Sequence, residues 1–362
     1  MNVKNDAKKP LIKCVVWDLD HTLWDGVLLE GDSLALRPGV LEAITGLDRR
    51  GILQSIASKN DHDLAMARLE SFGIAEYFLY PQINWKAKSA SIQAIAEAIN
   101  IATDSLAFID DQAFERDEVR YAHPQVRCID ASAVGRLLEM PGMKPRFVTA
   151  DSQARRKMYL SDAARKAAEA DFSGAHEEFL AGLDMRLSIA PAGPEDLRRA
   201  EELTVRTHQL NTTGYTYSYE ELHGFVQSDG HDLLICELQD KYGTYGKIGL
   251  ALIERRPDQH LLKLLLMSCR VMSRGIGTII LNYLMARARA AGVRLLAEYV
   301  ANDRNRMMYI TFKFAGFREL RRNGDAVILE SDLSRLQPFP AYVQVNVSQG
   351  AYGSPHDCLP SI

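Results

Sequence analysis

Two successive α/β domains, the first built on a parallel sheet, are what this sequence predicts. Three observations lead there. At 362 residues the chain is too long for one ordinary hydrophobic core. Its first third alternates short apolar runs with helical stretches, an order that implies crossover units. After a polar connector, a second set of strands and helices begins at residue 185 in a different order.

In the first domain, residues 11–17, 52–57, 77–80 and 106–109 are apolar and short enough for buried strands. Residues 37–49, 62–72, 89–99 and 114–121 carry helical periodicity between them. Pro141, Gly142 and Pro145 then interrupt, and a helix rich in Ala, Lys, Arg and Glu follows over about 152–170. In the second domain a strand at 185–190 leads to a helix beginning near Pro194. Strands follow at 233–238, 248–255 and 261–271, then a helix at 277–290, a strand at 295–300, a helix at 305–315 and a strand at 326–329. The expected boundaries are 1–150 for the first domain, 151–182 for a helical linker and 183–336 for the second domain. An extended tail with Pro338, Pro340, Pro355 and Pro360 takes up 337–362.

A hydrophobic fraction of 47% and a charged fraction of 25% are those of a soluble globular protein. Net charge is −4 with no Lys/Arg block, so no nucleic-acid footprint is expected. Cys14, Cys128, Cys236, Cys269 and Cys358 are odd in number and scattered, which argues against a zinc knuckle or a disulfide framework. The first ten residues are polar, unlike a secretory signal, and no apolar run approaches the ~18 residues a membrane span needs. A cytoplasmic protein is expected.

Two carboxylates, Asp18 and Asp20, follow directly on the first apolar run. Carboxylates at the carboxyl end of a parallel strand sit where open α/β sheets bind ligands. A spacing of two puts both on one side of an extended chain, where one could attack phosphorus while the other moves a proton. Taken alone, the pair reads equally well as a turn or a bare cation site. Three further elements follow in order. Ser58 ends the second apolar run, where a hydroxyl can meet a phosphate oxygen. Lys88, with Lys86 as its rival, starts a helix, where ammonium and helix N-terminus both favour an anion. Asp110 and Asp111 end a further run, ready to complete an oxygen-only cation site.

This order, D-x-D-x-T at Asp18 to Thr22, then Ser58, Lys88 and the acidic pair, resembles the four motifs of the haloacid-dehalogenase (HAD) superfamily. The resemblance implies that Asp18 is a nucleophile forming an aspartyl-phosphate and Asp20 the general acid/base of a phosphatase. It implies that Thr22, Ser58 and Lys88 bind phosphate and that Asp18, the Asp20 carbonyl, Asp110 and Asp111 hold Mg²⁺. Only 35 residues separate Thr22 from Ser58 and 29 separate Ser58 from Lys88, so neither gap holds a folded cap domain.

In the second domain Arg274, Gly275 and Gly277 stand between an apolar strand and a helix, where backbone amides can approach a pyrophosphate. Asn302 precedes a helix that contains Tyr309 and ends before Gly316-Phe317. With the strand order this resembles the GNAT acyltransferase fold, which implies a coenzyme A or phosphopantetheine thiol beside the strand that carries Cys269. Met272 stands where that family often has Gln or Arg. Cys269 could take part in thioester exchange, its thiolate stabilised by Arg270, or be a small buried hydrophobe; Cys14 is the other candidate thiol. His208, Gln209, Asn211 and Thr212 form a polar run suited to a polyhydroxy acyl chain or to a helix end and turn.

The strings 13–24, 55–60, 207–213 and 268–275, across a HAD-plus-GNAT chain, look like the FkbH-like family. His21 stands where many of its members have Asn. The resemblance implies a bifunctional glyceryl transferase/phosphatase of polyketide biosynthesis. Such an enzyme removes the 3-phosphate of 1,3-bisphosphoglycerate and loads the glyceryl group as a thioester on the phosphopantetheine arm of an acyl carrier protein. The alternatives are a HAD phosphatase joined to an acetyl-CoA-dependent acyltransferase, or to a domain that only docks a carrier protein.

Overall fold

The computed structural model describes residues 11–31 and 33–348. The polar first ten residues, Cys358, Pro355 and Pro360 lie outside them. The chain forms two compact units, Met1–Leu160 and Ser161–Ile362.

The first unit holds β1 (Cys14–Trp17), β2 (Trp24–Asp25), β3 (Ala35–Leu36), α1 (Val40–Arg49), β4 (Leu53–Ser58), α2 (His62–Ser71), β5 (Gln82–Ile83), α3 (Lys88–Ile99), β6 (Leu106–Asp110), α4 (Ala113–Ala122) and β7 (Arg127–Asp130). The short α5 (Ala150–Gln153) and the start of α6 (Arg155–Ala170) close it. The sheet order is β5-β4-β1-β6-β7, and every pairing is parallel. Alternation along β1 explains its wholly apolar sequence: Val15 and Trp17 enter the core with Ile44, Leu47 and Ile109. Cys14 and Val16 enter the opposite core with Ile92, Ile95 and Phe108. A strand buried on both faces reads as a continuous run.

One expected strand is corrected. Residues 77–80 do not form a full strand: Ala75–Tyr77 is a 3₁₀ turn, Phe78 makes only an isolated parallel bridge with Gln54, and Tyr80, before Pro81, takes φ of 51°. The edge strand β5 begins only at Gln82. Phe78 and Leu79 are buried nonetheless, which is why the segment imitates a strand.

The second unit contains the rest of α6, α7 (His176–Ala181), β8 (Met185–Pro191), α8 (Leu197–Arg206), α9 (Tyr219–Val226), β9 (His231–Asp240), β10 (Gly243–Arg255), β11 (Gln259–Met267), α10 (Ile276–Ala290), β12 (Arg294–Val300), α11 (Arg306–Phe314), β13 (Phe317–Asn323), β14 (Ala326–Ser331) and β15 (Val343–Val347). Its sheet runs β13-β14-β12-β11-β10-β9-β8-β15. Pairings are antiparallel except β11 with β12 and β15 with β8. The α/β class expected from the sequence is the one observed: a parallel sheet in the first unit, then a separate mixed sheet in the second.

The segment from 337 supplies β15, which pairs with Met185–Ile189. The expected strand 261–271 is shorter than read. It stops at Met267, and Cys269–Arg274 is a 3₁₀ helix that ends at Gly275 with φ of 71°. Cys269 is therefore not on a strand. In α6, Arg165 is fully buried and holds Asp240 with two bonds of 2.7 and 2.9 Å, its guanidinium 3.8 Å from the Tyr245 ring centre.

Candidate active site

Parallel register assembles the first site. Trp17 lies between Ile56 of β4 and Ile109 of β6, so the next residues, Asp18 and Asp110, leave adjacent strand ends at one level. Ser58, buried, closes β4 beside them. Lys88, the first residue of α3, is only 4% exposed. Its Nζ lies 2.7 Å from Asp18 Oδ1 and 2.5 Å from Asp110 Oδ2. Lys86 is exposed, and its amide donates to Asn84.

Burial dominates the electrostatics. It pushes the Asp18 carboxyl up to about 6, against the pull of Lys88. Burial also raises Asp110, again outweighing Lys88. Lys88 itself is drawn down by burial, but the two carboxylates win and hold it above the ordinary lysine value. Asp110 Oδ1 accepts the Gln112 amide at 2.7 Å. Asp111 Oδ1, by contrast, is buried without any hydrogen-bond partner. A buried carboxylate oxygen left so is costly unless a cation meets it. Asp18, Asp110 and Asp111 each offer an oxygen within 4.8 Å of the others. An all-oxygen acidic set with one unused ligand atom fits a hard divalent cation such as Mg²⁺.

Asp20 is held from three sides. Its Oδ1 accepts the Trp24 indole N–H at 2.7 Å and the Leu28 amide at 3.1 Å, and its Oδ2 accepts the Asn60 side-chain amide at 3.0 Å. Thr22, fully buried, accepts the Asp111 amide on Oγ1 at 3.1 Å, so it sets the acidic pair from beneath. His21 takes φ of 53°, a left-handed conformation that Asn and His both tolerate better than most residues. Sequence reasoning gave Trp24 and Asn60 no role. Each sits two residues past a motif position, and only the fold turns them onto Asp20.

The second set of candidate residues does not converge in the same way. His208 is exposed and Gln209 half-buried, whereas Asn211 and Thr212 are buried in the sheet. Asn211 Oδ1 accepts the amides of Thr213 and Gly214, closing the turn after α8. Arg274, 2% exposed, pairs with Glu169 at 3.1 Å and lies over the Phe179 ring. A Cβ on Gly275 would come within 2.6 Å of Tyr342 Oη, and one on Gly277 within 2.7 Å of Met267 Cε. A side chain at either position would have to displace the end of that neighbour, and Gly275 in addition takes a left-handed φ of 71°. Tyr309 donates its hydroxyl to Glu319 at 2.6 Å. Cys269 is half-buried; Cys14 is fully buried, which pushes its thiol far above the ordinary range.

Comparison with solved structures finds likenesses to each half. Over 37% of its length the chain is similar to the N-terminal part of a Bacteroides fragilis protein containing a phosphatase domain, complexed with Mg (28% identity, TM-score 0.32). The match spans 40% of that chain. Over 40% of its length it is similar to the ribosomal-protein-S18-alanine N-acetyltransferase of Escherichia coli (19% identity, 92% of that chain, TM-score 0.33). A likeness of the same extent links it to the PaiA N-acetyltransferase of Thermoplasma acidophilum in complex with coenzyme A (17% identity, 98% of that chain, TM-score 0.33). No protein-family model matches the chain, and no curated protein does. The chain joins a unit with a parallel sheet, which carries the Asp18, Ser58, Lys88 and Asp110 cluster, to a unit with a mixed sheet. No helix among the described residues is long and apolar enough to cross a membrane.

Proposed function

We propose that the chain is a Mg²⁺-dependent phosphatase working through an aspartyl-phosphate on Asp18. The observation that carries this reading is the buried cluster at adjacent strand ends, in which Lys88 bridges Asp18 and Asp110 while Asp111 keeps an unpartnered oxygen. In the first step an Asp18 oxygen bonds to phosphorus as the substrate's ester oxygen leaves, and Asp20 gives that oxygen its proton. In the second, Asp20 takes a proton from water, whose oxygen bonds to phosphorus as the Asp18–phosphorus bond breaks. Lys88 and Ser58 hold phosphate oxygens throughout. The clamp on Asp20 keeps its carboxylate aimed during both proton transfers. When bound by Asp18, Asp110, Asp111 and the Asp20 carbonyl, Mg²⁺ would supply positive charge to the phosphate oxygens.

The finer reading rests on the FkbH-like resemblance. It takes 1,3-bisphosphoglycerate as the substrate, its 3-phosphate ester as the group removed, and an acyl carrier protein as the acceptor of the glyceryl group. An acyl phosphate is already activated toward a thiol, while the ester phosphate needs a phosphatase, so the division suits the site. Phosphate release by wild type and Asp18→Asn, with Mg²⁺ and after chelation, tests the first reading. An intact mass of carrier protein tests the second. A glyceryl increment supports it, and an acetyl increment or no increment with active enzyme overturns it.

A further inference from the structure

The parallel pairing of β11 with β12 runs from Gln259↔Arg294 to Leu262↔Ala297 and then stops. Continued in the same register it would set Leu265 opposite Val300. Those two residues do not meet, and they do not leave an open gap either. Thr212 lies between them: its N–H donates to the Leu265 carbonyl at 3.0 Å, and its carbonyl accepts the Val300 N–H at 2.9 Å. The Thr212 hydroxyl oxygen accepts the Leu265 N–H at 3.0 Å, and the Leu210 carbonyl accepts the Met267 N–H at 2.8 Å. Asn211 and Leu266 form an antiparallel bridge. Residues 210–212 thus act as a short built-in strand in the fork of the sheet.

This insert is fastened from outside as well. Asn305, fully buried, donates from Nδ2 to the carbonyls of Asn211 and Val300, at 3.0 and 2.9 Å. Its Oδ1 accepts the Tyr299 hydroxyl at 3.0 Å. A thiol cofactor arm lying along β11 would need backbone groups of that strand as partners, and the N–H and carbonyl of Leu265 and the N–H of Met267 are already taken. At the neighbouring turn Tyr342 packs against Gly275, and Arg274 is ion-paired with Glu169 while its Nε and Nη1 make no hydrogen bond.

We infer that the fork between β11 and β12 is closed to a pantetheine arm, because residues 210–212 occupy it as part of the sheet. The residues there do not fit the cofactor that a GNAT-like fold implies. Any thiol partner of this domain meets it somewhere other than that fork. The inference concerns a different site from the phosphatase reading, so Asp18-dependent phosphate release is unaffected by its outcome.

Hydrogen–deuterium exchange on the full chain, with and without millimolar coenzyme A, provides the test. The amides of Leu265, Met267, Thr212 and Val300 are expected to be protected in the free protein and unchanged by coenzyme A. Coenzyme A that binds without altering those amides also supports closure, because it then sits elsewhere. Thr212→Val, which keeps the shape but removes the hydroxyl acceptor, should speed Leu265 exchange about tenfold while leaving Met267 slow. Fast exchange of these amides in the free chain would overturn the inference. So would saturable coenzyme A binding that deprotects residues 210–212, since the arm would then be displacing the insert.

Discussion

Replacing Lys88 by Met tests the acidic cluster more sharply than removing the nucleophile does. The substitution leaves Asp18 and Asp110, both under 5% exposed, facing one another without the ammonium that now lies 2.7 and 2.5 Å away. Removing one partner of a buried ionic cluster costs about 3–5 kcal/mol. At roughly 2–4 °C per kcal/mol for a domain of this size, melting in chelator should fall by roughly 6–20 °C. Mg²⁺ then has more to offer the variant than the wild type, because the cation replaces a missing charge. At a hundredfold excess over Kd, binding alone stabilises by about 2.7 kcal/mol. The sign of the pH effect fixes the conditions. Asp18 has a folded pKa raised to about 6, so it binds its proton more tightly folded than unfolded. Its burial cost is therefore full above that pH and is relieved as pH falls through it. Calorimetry belongs at pH 8, in chelator and in Mg²⁺. If variant and wild type melt alike in chelator, Lys88 does not hold these carboxylates. If Mg²⁺ stabilises neither, the cluster is no cation site.

Asp18→Asn should abolish phosphate release with the melting curve still cooperative, since an amide cannot accept the phosphoryl group; activity in a clean preparation would refute the assignment. Asn60→Ala removes one bond to the Asp20 carboxylate and should lower kcat about 10- to 100-fold, the loss of a hydrogen bond to a charged group, with KM little changed. Asp240→Asn should destabilise the second unit by about 3–5 kcal/mol in thermal unfolding, because Arg165 stays buried with its charge uncompensated. Native alkylation read by peptide mass spectrometry should modify half-buried Cys269 before Cys14, whose burial keeps it protonated and out of reach. Cys269→Ala should likewise impair carrier loading more than Cys14→Ala, and undiminished loading by Cys269→Ala would show that Cys269 is not the acyl-carrying thiol.

What could be read ahead of the structure follows from the range of the physics involved. β1, β4 and β6 announce themselves because strands buried on both faces must be apolar throughout, and Asp18, Ser58 and Asp110 mark where those runs stop. Ends of parallel strands gather at one edge whatever the loops do, so residues far apart in sequence could be assigned to one place. Trp24 and Asn60 could not, because reaching Asp20 depends on the path of a turn and not on a period. The second unit shows the same limit in a stronger form. A glycine pair before a helix looks alike whether an amide must approach a phosphate or a neighbour must approach the backbone. Here Tyr342 and Met267 fill the space a Cβ would need. Tyr342 lies 67 residues beyond Gly275, in a segment whose prolines made it read as a tail. Likewise Asn211 and Thr212 show the polarity of a ligand site because they serve as sheet partners in a buried fork, where every backbone and side-chain polar group must be satisfied. Polar residues close to a sheet opening therefore mark a demand for hydrogen bonds, and only the pairing decides whether a guest or the chain itself meets it.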